Sequence, residues 1–328
     1  MPAPGPRTPH PEAVAFAPAT VSNVACGFDV LGFAIERPGD RVTARLVGGL
    51  RDVPRSGTGV RLVSVTGLPG SGFERLPTAT ERNTAGVAAT RLVEAVAPGA
   101  SVEIAVEKRM PFGSGLGSSA ASAVAAVVAV NEVLGRPFAR EALLPFALDG
   151  EAVASGGRHA DNVAPCLFGG FVLVRALDDV VRLPVPAGLC VAVIHPHVEV
   201  LTAAARAALA ATVPMAAFVE QTANVGALVA GLFADDVALV GRALRDAVVE
   251  PQRAHLVPRF YAMQAAAMGA GALGCSLSGS GPSVFALCGD RRTADRAASA
   301  MQAALGDAAA STLVVSGIGE GARIEDPA

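Results

Sequence analysis

The run Pro111-Phe112-Gly113-Ser114-Gly115-Leu116-Gly117-Ser118-Ser119-Ala120 constrains this chain more than any other segment. Three glycines alternate with other residues, and two serines then open an Ala/Val stretch, Ala120 to Val130, that reads as a buried helix. Backbone without Cβ atoms can approach a polyanion closely, and the N–H groups of a helix's first turn point at it. The hydroxyls of Ser118 and Ser119 add donors, and one of them can serve as a ligand to Mg²⁺. The segment reads as a phosphate cradle; the plainer reading is a Gly-rich turn capping a core helix. It is not the common Gly-x-x-x-x-Gly-Lys-Ser/Thr loop, because Lys108, the only lysine in the chain, lies before it.

At 328 residues the chain has room for two domains with substantial cores. A formal charge of −3 offers no basic field, so nucleic acid and acidic membrane surfaces are not expected partners. The Ala120–Val130 stretch is too short to span a bilayer, and the proline-rich Met1–Pro11 has no apolar centre, so no membrane association is expected. Residues 1–13 are expected to form a flexible tail. Cys26, Cys166, Cys190, Cys275 and Cys288 lack metal-ligand spacing, which suits buried reduced thiols in a cytoplasmic protein.

Alternation predicts strands at Val14–Ala17, Arg41–Val47, Arg61–Thr66 and Ser101–Val106, the second and third joined like a hairpin. Helices are expected over Asn83–Ala97, from the cradle to about Leu134, and over Arg140–Ala154. Ser155–Asn162 reads as a polar stretch, followed by a strand at Gly170–Val174. A boundary near 178 separates an N-terminal domain, 14–178, from a C-terminal one, 179–328. In the second, strands are expected at Cys190–Ile194, Ser283–Leu287 and Thr312–Val315. Helices are expected at Leu201–Ala210, Met215–Phe233, Asp236–Val248, His255–Met268 and Thr293–Leu305. The irregular alternation argues for an α+β fold over a doubly wound sheet.

Three further clusters carry chemistry. Thr20 to Asp29 places Ser22, Asn23 and Asp29 in an irregular segment, where a carboxylate can pair with an ammonium group; Asx-turn chemistry explains it equally well. Glu151, eight residues before His159, can supply a hard oxygen ligand to Mg²⁺, while His159, Asp161 and Asn162 can face a substrate hydroxyl. Leu277-Ser278-Gly279-Ser280-Gly281-Pro282-Ser283 is a second Gly/Ser loop, suited to a close backbone approach. Arg206 and Arg253 are candidates for a bidentate carboxylate clamp, against a plain surface role for each.

Together these clusters resemble the GHMP kinase superfamily. Its motif Pro-x-x-x-Gly-Leu-Gly-Ser-Ser is matched by Pro111 to Ser119, and another by Leu277 to Ser283. The finer resemblance is to the homoserine kinases. It rests on Ala17 to Gly32, on His159-Ala160-Asp161-Asn162-Val163-Ala164-Pro165 with Gly169-Gly170, and on Glu250-Pro251-x-Arg253 followed by Leu256-x-Pro258. It covers the chain from about Val14 to Ile318.

The resemblance implies ATP-dependent phosphorylation of the side-chain hydroxyl of L-homoserine, a step towards threonine. It also implies a two-domain α+β fold, with an N-terminal ribosomal-protein-like domain and a C-terminal ferredoxin-like one, and allows a homodimer. Pro111, Gly113, Ser114, Gly115, Leu116, Gly117, Ser118 and Ser119 would wrap the ATP phosphates. Asn83 would lie near the adenine, although Thr84 departs from the apolar residue usual after it. Ser119 and Glu151 would hold Mg²⁺. Asp29 would take the substrate ammonium and Arg206 with Arg253 its carboxylate; Asn23, Thr202, His159, Asn162 and Gly279 would complete that site. Gln252 stands where an aromatic residue is common. Asp161, Asn162 and His159 are the candidate catalytic residues. In mevalonate-kinase-like relatives an aspartate matching Asp161 acts as base with a lysine's help; Lys108 does not match that lysine, so Asp161 is expected to organise the site. A related kinase acting on mevalonate or a sugar, and a nucleotide-binding sensor without turnover, are the alternatives.

Overall fold

The first strand runs well past its alternating residues. In the computed structural model, which describes residues 9–47, 59–69 and 71–326 and all but two of their side chains (Ser155 and Thr202), β1 spans Glu12–Ser22. It crosses Pro18 through a register shift between Pro18 and Thr20, an irregularity that accommodates a residue without an N–H. Pro18 to Ser22, beyond the expected strand, are therefore strand as well, and so are Glu12 and Ala13 of the expected tail; the rest of that tail lies at 9–11 and among residues outside those described.

β2 (Leu31–Leu46), of which only the second half was anticipated, lies antiparallel to β1. β3 (Val60–Gly67) does not form a hairpin with it. α1 (Thr84–Val96) leads instead to β4 (Val102–Lys108), which inserts between β2 and β3, antiparallel to one and parallel to the other. The long connection through α1 supplies the crossover that a parallel pair requires. β4 buries Val102, Ile104 and Val106 on one face, as its alternation predicts.

α2 (Ser118–Val133) is buried continuously from Ala120 to Val133. It packs between β1 and β2 on one side and α1 and α3 (Leu144–Ser155) on the other, which explains its lack of a polar face. α4 (Ala160–Phe168) begins inside the stretch read as polar loop, with Asp161 in its first turn, where the helix dipole favours a carboxylate. β5 (Phe171–Ala176) pairs with β2 and with β6 (Asp179–Leu183). The boundary expected near 178 thus falls inside a hairpin, because the strand pairing continues across it.

β7 (Cys190–Pro196), α5 (Thr202–Ala207) and α6 (Met215–Ala234) follow. By length and composition alone α6 can cross a membrane, with a mean hydropathy of 1.3; Glu220, Gln221, Thr222 and Asn224 break up its apolar run. It buries Leu228, Gly231 and Leu232 and exposes Met215, Phe218, Val219 and Phe233. After α7 (Val237–Ala243), α8 (Glu250–Arg253) and α9 (Phe260–Gly269) come β8 (Gly274–Leu277) and β9 (Val284–Cys288). α10 (Arg291–Leu305), β10 (Ser311–Gly317) and β11 (Arg323–Glu325) complete the chain.

The second sheet has the order β10-β7-β9-β8, all antiparallel, with α10 connecting β9 to β10 and α9 preceding β8. That β-α-β-β-α-β succession is the ferredoxin-like arrangement anticipated for this half. β11 returns to the first sheet, antiparallel to β1. The two sheets meet where Phe285 of β9 stands edge-on to Phe33 of β2, ring centroids 5.9 Å apart. The result is the mixed α+β fold expected, and a cleft of about 670 Å³ opens beside the loops at which α2, α4 and β9 begin.

Candidate active site

The phosphate cradle is built as its glycines dictate. Gly113, Gly115 and Gly117 all have left-handed φ, at 65°, 73° and 67°. A Cβ at Gly115 would lie 2.5 Å from the Ser278 carbonyl oxygen, and one at Gly117 would lie 2.2 Å from Thr20 Oγ1. Both positions exclude a side chain on two counts. α2 starts from Gly117 without a side-chain cap, so its first-turn N–H groups remain available to an anion in the cleft. Beneath them Lys108 ion-pairs with Asp40, and its Nζ also donates to the Ser118 carbonyl at 2.8 Å and Ser122 Oγ at 2.7 Å. Lys108 and Asp40 are both buried, so this pair braces the end of the helix against β2. Ser114 Oγ is buried with no hydrogen-bond partner, which fits a donor held for a ligand in the cradle.

Three segments are laced around this cradle: the end of β1 with Asn23, the first turn of α4, and the loop between β8 and β9. Thr20 Oγ1 donates to Asn162 Oδ1 at 2.7 Å, and Asn162 Nδ2 donates to Ser22 Oγ at 2.9 Å. Asn23 Nδ2 donates to the Gly279 carbonyl at 2.7 Å, and Ser278 Oγ donates to the Gly115 carbonyl at 2.7 Å. Asn23, Val24 and Ala25 take left-handed φ values in succession, 70°, 41° and 56°, and Asp29 has 60°. A β-branched residue in that region is strained by roughly 1–3 kcal/mol, and such strain persists only where the surroundings impose it. Here Asn23 is clamped to Gly279, while its Oδ1 accepts from the Asp29 N–H at 3.1 Å. Asn23, Asn162 and Gly279 are therefore braces of the site as well as part of its lining.

The charged end of the cleft brings together residues far apart in sequence. Arg206, in the last turn of α5, donates to both Asp29 carboxylate oxygens at 3.0–3.1 Å and approaches His159 Nδ1 at 3.2 Å. Burial and the Arg206 charge push the His159 pKa down, so its ring is neutral at pH 7 and can accept from the guanidinium. Arg253 is buried, donates from Nε to the Ala205 carbonyl at 2.8 Å, and lies over the Phe28 ring at 5.0 Å. Burial and the repulsion of Arg206 lower its pKa. The Thr202 side chain is outside those described. Gln252 faces away from this chemistry: its Oε1 accepts from the Ala210 N–H and its Nε2 donates to the Val248 carbonyl, tethering the loop after α5.

Two buried carboxyls face the cradle. Glu151 is raised to about 7 by burial, against a hydrogen bond from Ser119. Asp161 is raised to about 7 by burial and then by the Asp29 charge, against a hydrogen bond from Ser22. A desolvated carboxylate next to a hydroxyl at a helix N-terminus is a fitting donor pair for Mg²⁺, which takes few protein ligands and completes its shell with phosphate oxygens and water. Of the two hydroxyls that open α2, that of Ser119 hydrogen-bonds to the Glu151 carboxyl. No group of three or more His, Cys, Asp or Glu that could hold a metal ion occurs among the described residues.

Asn83 lines the cleft, with its side chain fully employed: Oδ1 caps α1 at the Ala85 N–H, 3.0 Å, and Nδ2 donates to the Pro77 carbonyl, 2.8 Å. Near it, Arg75 lies over the exposed Phe112 ring at 4.8 Å and bridges to Glu199 at 3.0 Å. The sequence reading assigned no role to Arg75, Phe28, Thr20 or the Lys108–Asp40–Ser122 network. Asp40 and Ser122 belong to no motif, and only the sheet brings them together. Thr20, Ser22 and Phe28 stood inside a quoted motif.

The GHMP kinases N terminal domain matches residues 83–170 and the GHMP kinases C terminal domain residues 228–307. Homoserine kinase of Chlorobaculum tepidum is 46% identical over 297 residues, covering 88% of this chain and 89% of its own. The crystal structure of homoserine kinase from Cytophaga hutchinsonii superposes with a TM-score of 0.89 at 48% identity, covering 96% of this chain and 98% of that one. Mevalonate kinase from L. major, in complex with R-mevalonate, shares the fold at a TM-score of 0.69 and 15% identity, covering 97% and 99%. The chain belongs to the homoserine kinase family of the GHMP kinases.

Proposed function

We propose that this chain transfers the γ-phosphoryl group of ATP to the side-chain hydroxyl of L-homoserine, yielding O-phospho-L-homoserine for threonine biosynthesis. The observation that carries the reading is the shared cleft: a glycine cradle at the start of α2 opens towards Asp29, Arg206 and Arg253. The cradle suits the polyphosphate, and the charged end suits the ammonium and carboxylate of an amino acid. Phosphoryl transfer depends mainly on positioning and charge stabilisation, which the first-turn N–H groups supply. Mg²⁺, held by Ser119 and Glu151, would neutralise phosphate charge. Asn162 and Ser22, locked together, border the space between the cradle and the charged end. Asp161 organises this region through Ser22, and Lys108 is committed to Asp40, Ser118 and Ser122.

The test is ADP release by the purified chain with Mg²⁺-ATP and, in turn, L-homoserine, L-threonine, mevalonate and galactose. Turnover with homoserine alone is the expected result. Turnover with mevalonate or galactose instead overturns the roles of Asp29, Arg206 and Arg253, and no turnover with any of them favours a sensor. Asp161→Asn is expected to keep measurable turnover; loss of nearly all of it in a folded variant would make Asp161 the base.

A further inference from the structure

The two groups suited to opposite charges of an amino acid are bonded to one another. Arg206 makes three hydrogen bonds of 3.0–3.1 Å to the Asp29 carboxylate, and the two side chains are equally accessible, at 37% each. Neither side chain offers an idle charge to an arriving ligand. Asp29 is held in its left-handed conformation by the Asn23 amide, and Gln252 and Arg253 anchor the chain around α5, so the pair joins two braced segments. Two guanidiniums, Arg206 and Arg253, face one carboxylate at this end, which leaves room for one further anion. The buried Nε of Arg206 has no hydrogen-bond partner, so that guanidinium is also incompletely satisfied.

We propose that ligand binding opens the Asp29–Arg206 pair and exchanges its partners, so that the site favours molecules carrying an ammonium and a carboxylate together and disfavours those carrying only one. The inference rests on the reading of this cleft as an amino-acid site. A zwitterion returns to each group a counterion for the one it loses. A carboxylate alone takes Arg206 and strands Asp29; an ammonium alone takes Asp29 and leaves two guanidiniums uncompensated. Because the pair is partly exposed, solvent screens it, and the selection amounts to roughly two- to fivefold per missing charge.

The consequence is counter-intuitive and therefore testable. Asp29→Asn frees Arg206, so 4-hydroxybutanoate, which is homoserine without its ammonium, is expected to bind about two- to fivefold more tightly to the variant than to the parent chain. Arg206→Gln is expected to do the same for 3-aminopropan-1-ol, which lacks the carboxylate. Ligand-observed NMR gives both dissociation constants, and ATP binding measured alongside verifies the fold of each variant. On homoserine itself, the double variant is expected to lose more affinity than the product of the two single losses, because the singles each escape breaking the pair. Analogue affinities that stay constant or weaken, or losses that simply multiply, overturn the proposal. A parent chain that turns over homoserine while the analogues fail overturns this inference alone; one that turns over no amino acid overturns the reading beneath it.

Discussion

Individual residues in the cleft serve its shape and its charge at the same time, and the two demands conflict. Gly115 shows the demand of shape. Gly115→Ala would put a methyl group against the Ser278 and Gly281 carbonyls at a left-handed φ, pushing the two Gly/Ser loops apart. A displacement of about 1 Å in a positioned site costs on the order of a hundredfold, so kcat/KM for ATP is expected to fall at least that far. Steady-state kinetics at varied ATP measure it. Asp161 shows the demand of charge. Its carboxyl is raised from 3.8 to about 7, so between those values the folded chain holds a proton that the unfolded chain releases. Stability from this group is complete below about pH 4 and is lost as pH rises through 7. Asp161→Asn removes the ionisation, so its stability relative to the parent chain is expected to improve from pH 4 to pH 8. The gain is on the order of 4 kcal/mol, read from urea denaturation at both pH values. A substitution that impairs the site would thus stabilise the molecule.

Elements hold the site through their ends. The start of α2 is pinned by the buried Lys108–Asp40 pair, which ties β2, the last residue of β4 and the helix into one unit. Lys108→Met would strand a buried carboxylate and is expected to cost about 3–5 kcal/mol in chemical denaturation. Adding Asp40→Leu is expected to recover part of that loss, since an apolar pair tolerates burial that a lone charge does not. The same elements show what a sequence reveals and what it hides. The cradle, the helix after it and the alternation of β4 were readable because local chemistry alone dictates them. The parallel pairing of β3 with β4 was not, since neither strand records which neighbour it will meet. α4 was hidden because its polar residues, Asp161 and Asn162, occupy its first turn and mask the helical pattern. The motif residues that line the cleft were visible in the sequence, whereas Asp40, Ser122 and the Asp29–Arg206 bond needed the tertiary arrangement to bring distant side chains together.

At the scale of the whole molecule, the cleft lies where two sheets of different construction meet, and neither half contains it alone. Asp29 and the cradle come from the first half, and Arg206, Arg253 and Gly279 from the second. The last strand ties the halves together again: β11 lies against β1, and Arg140 donates to the carbonyls of Leu167 and Ala322 at 2.7 and 2.6 Å. Ending the chain after Gly319 removes β11 and the Ala322 contact and bares the edge of β1. The melting temperature is expected to fall by roughly 5 °C or more, with light scattering reporting association through the exposed edge. The pairing of Val14 with Glu325 also has a consequence for biosynthesis. A ribosome making this protein releases β1 long before β11. The nascent chain therefore carries an unfilled place beside β1 while every residue between the two strands is made, and the sheet is sealed only once β11 has emerged.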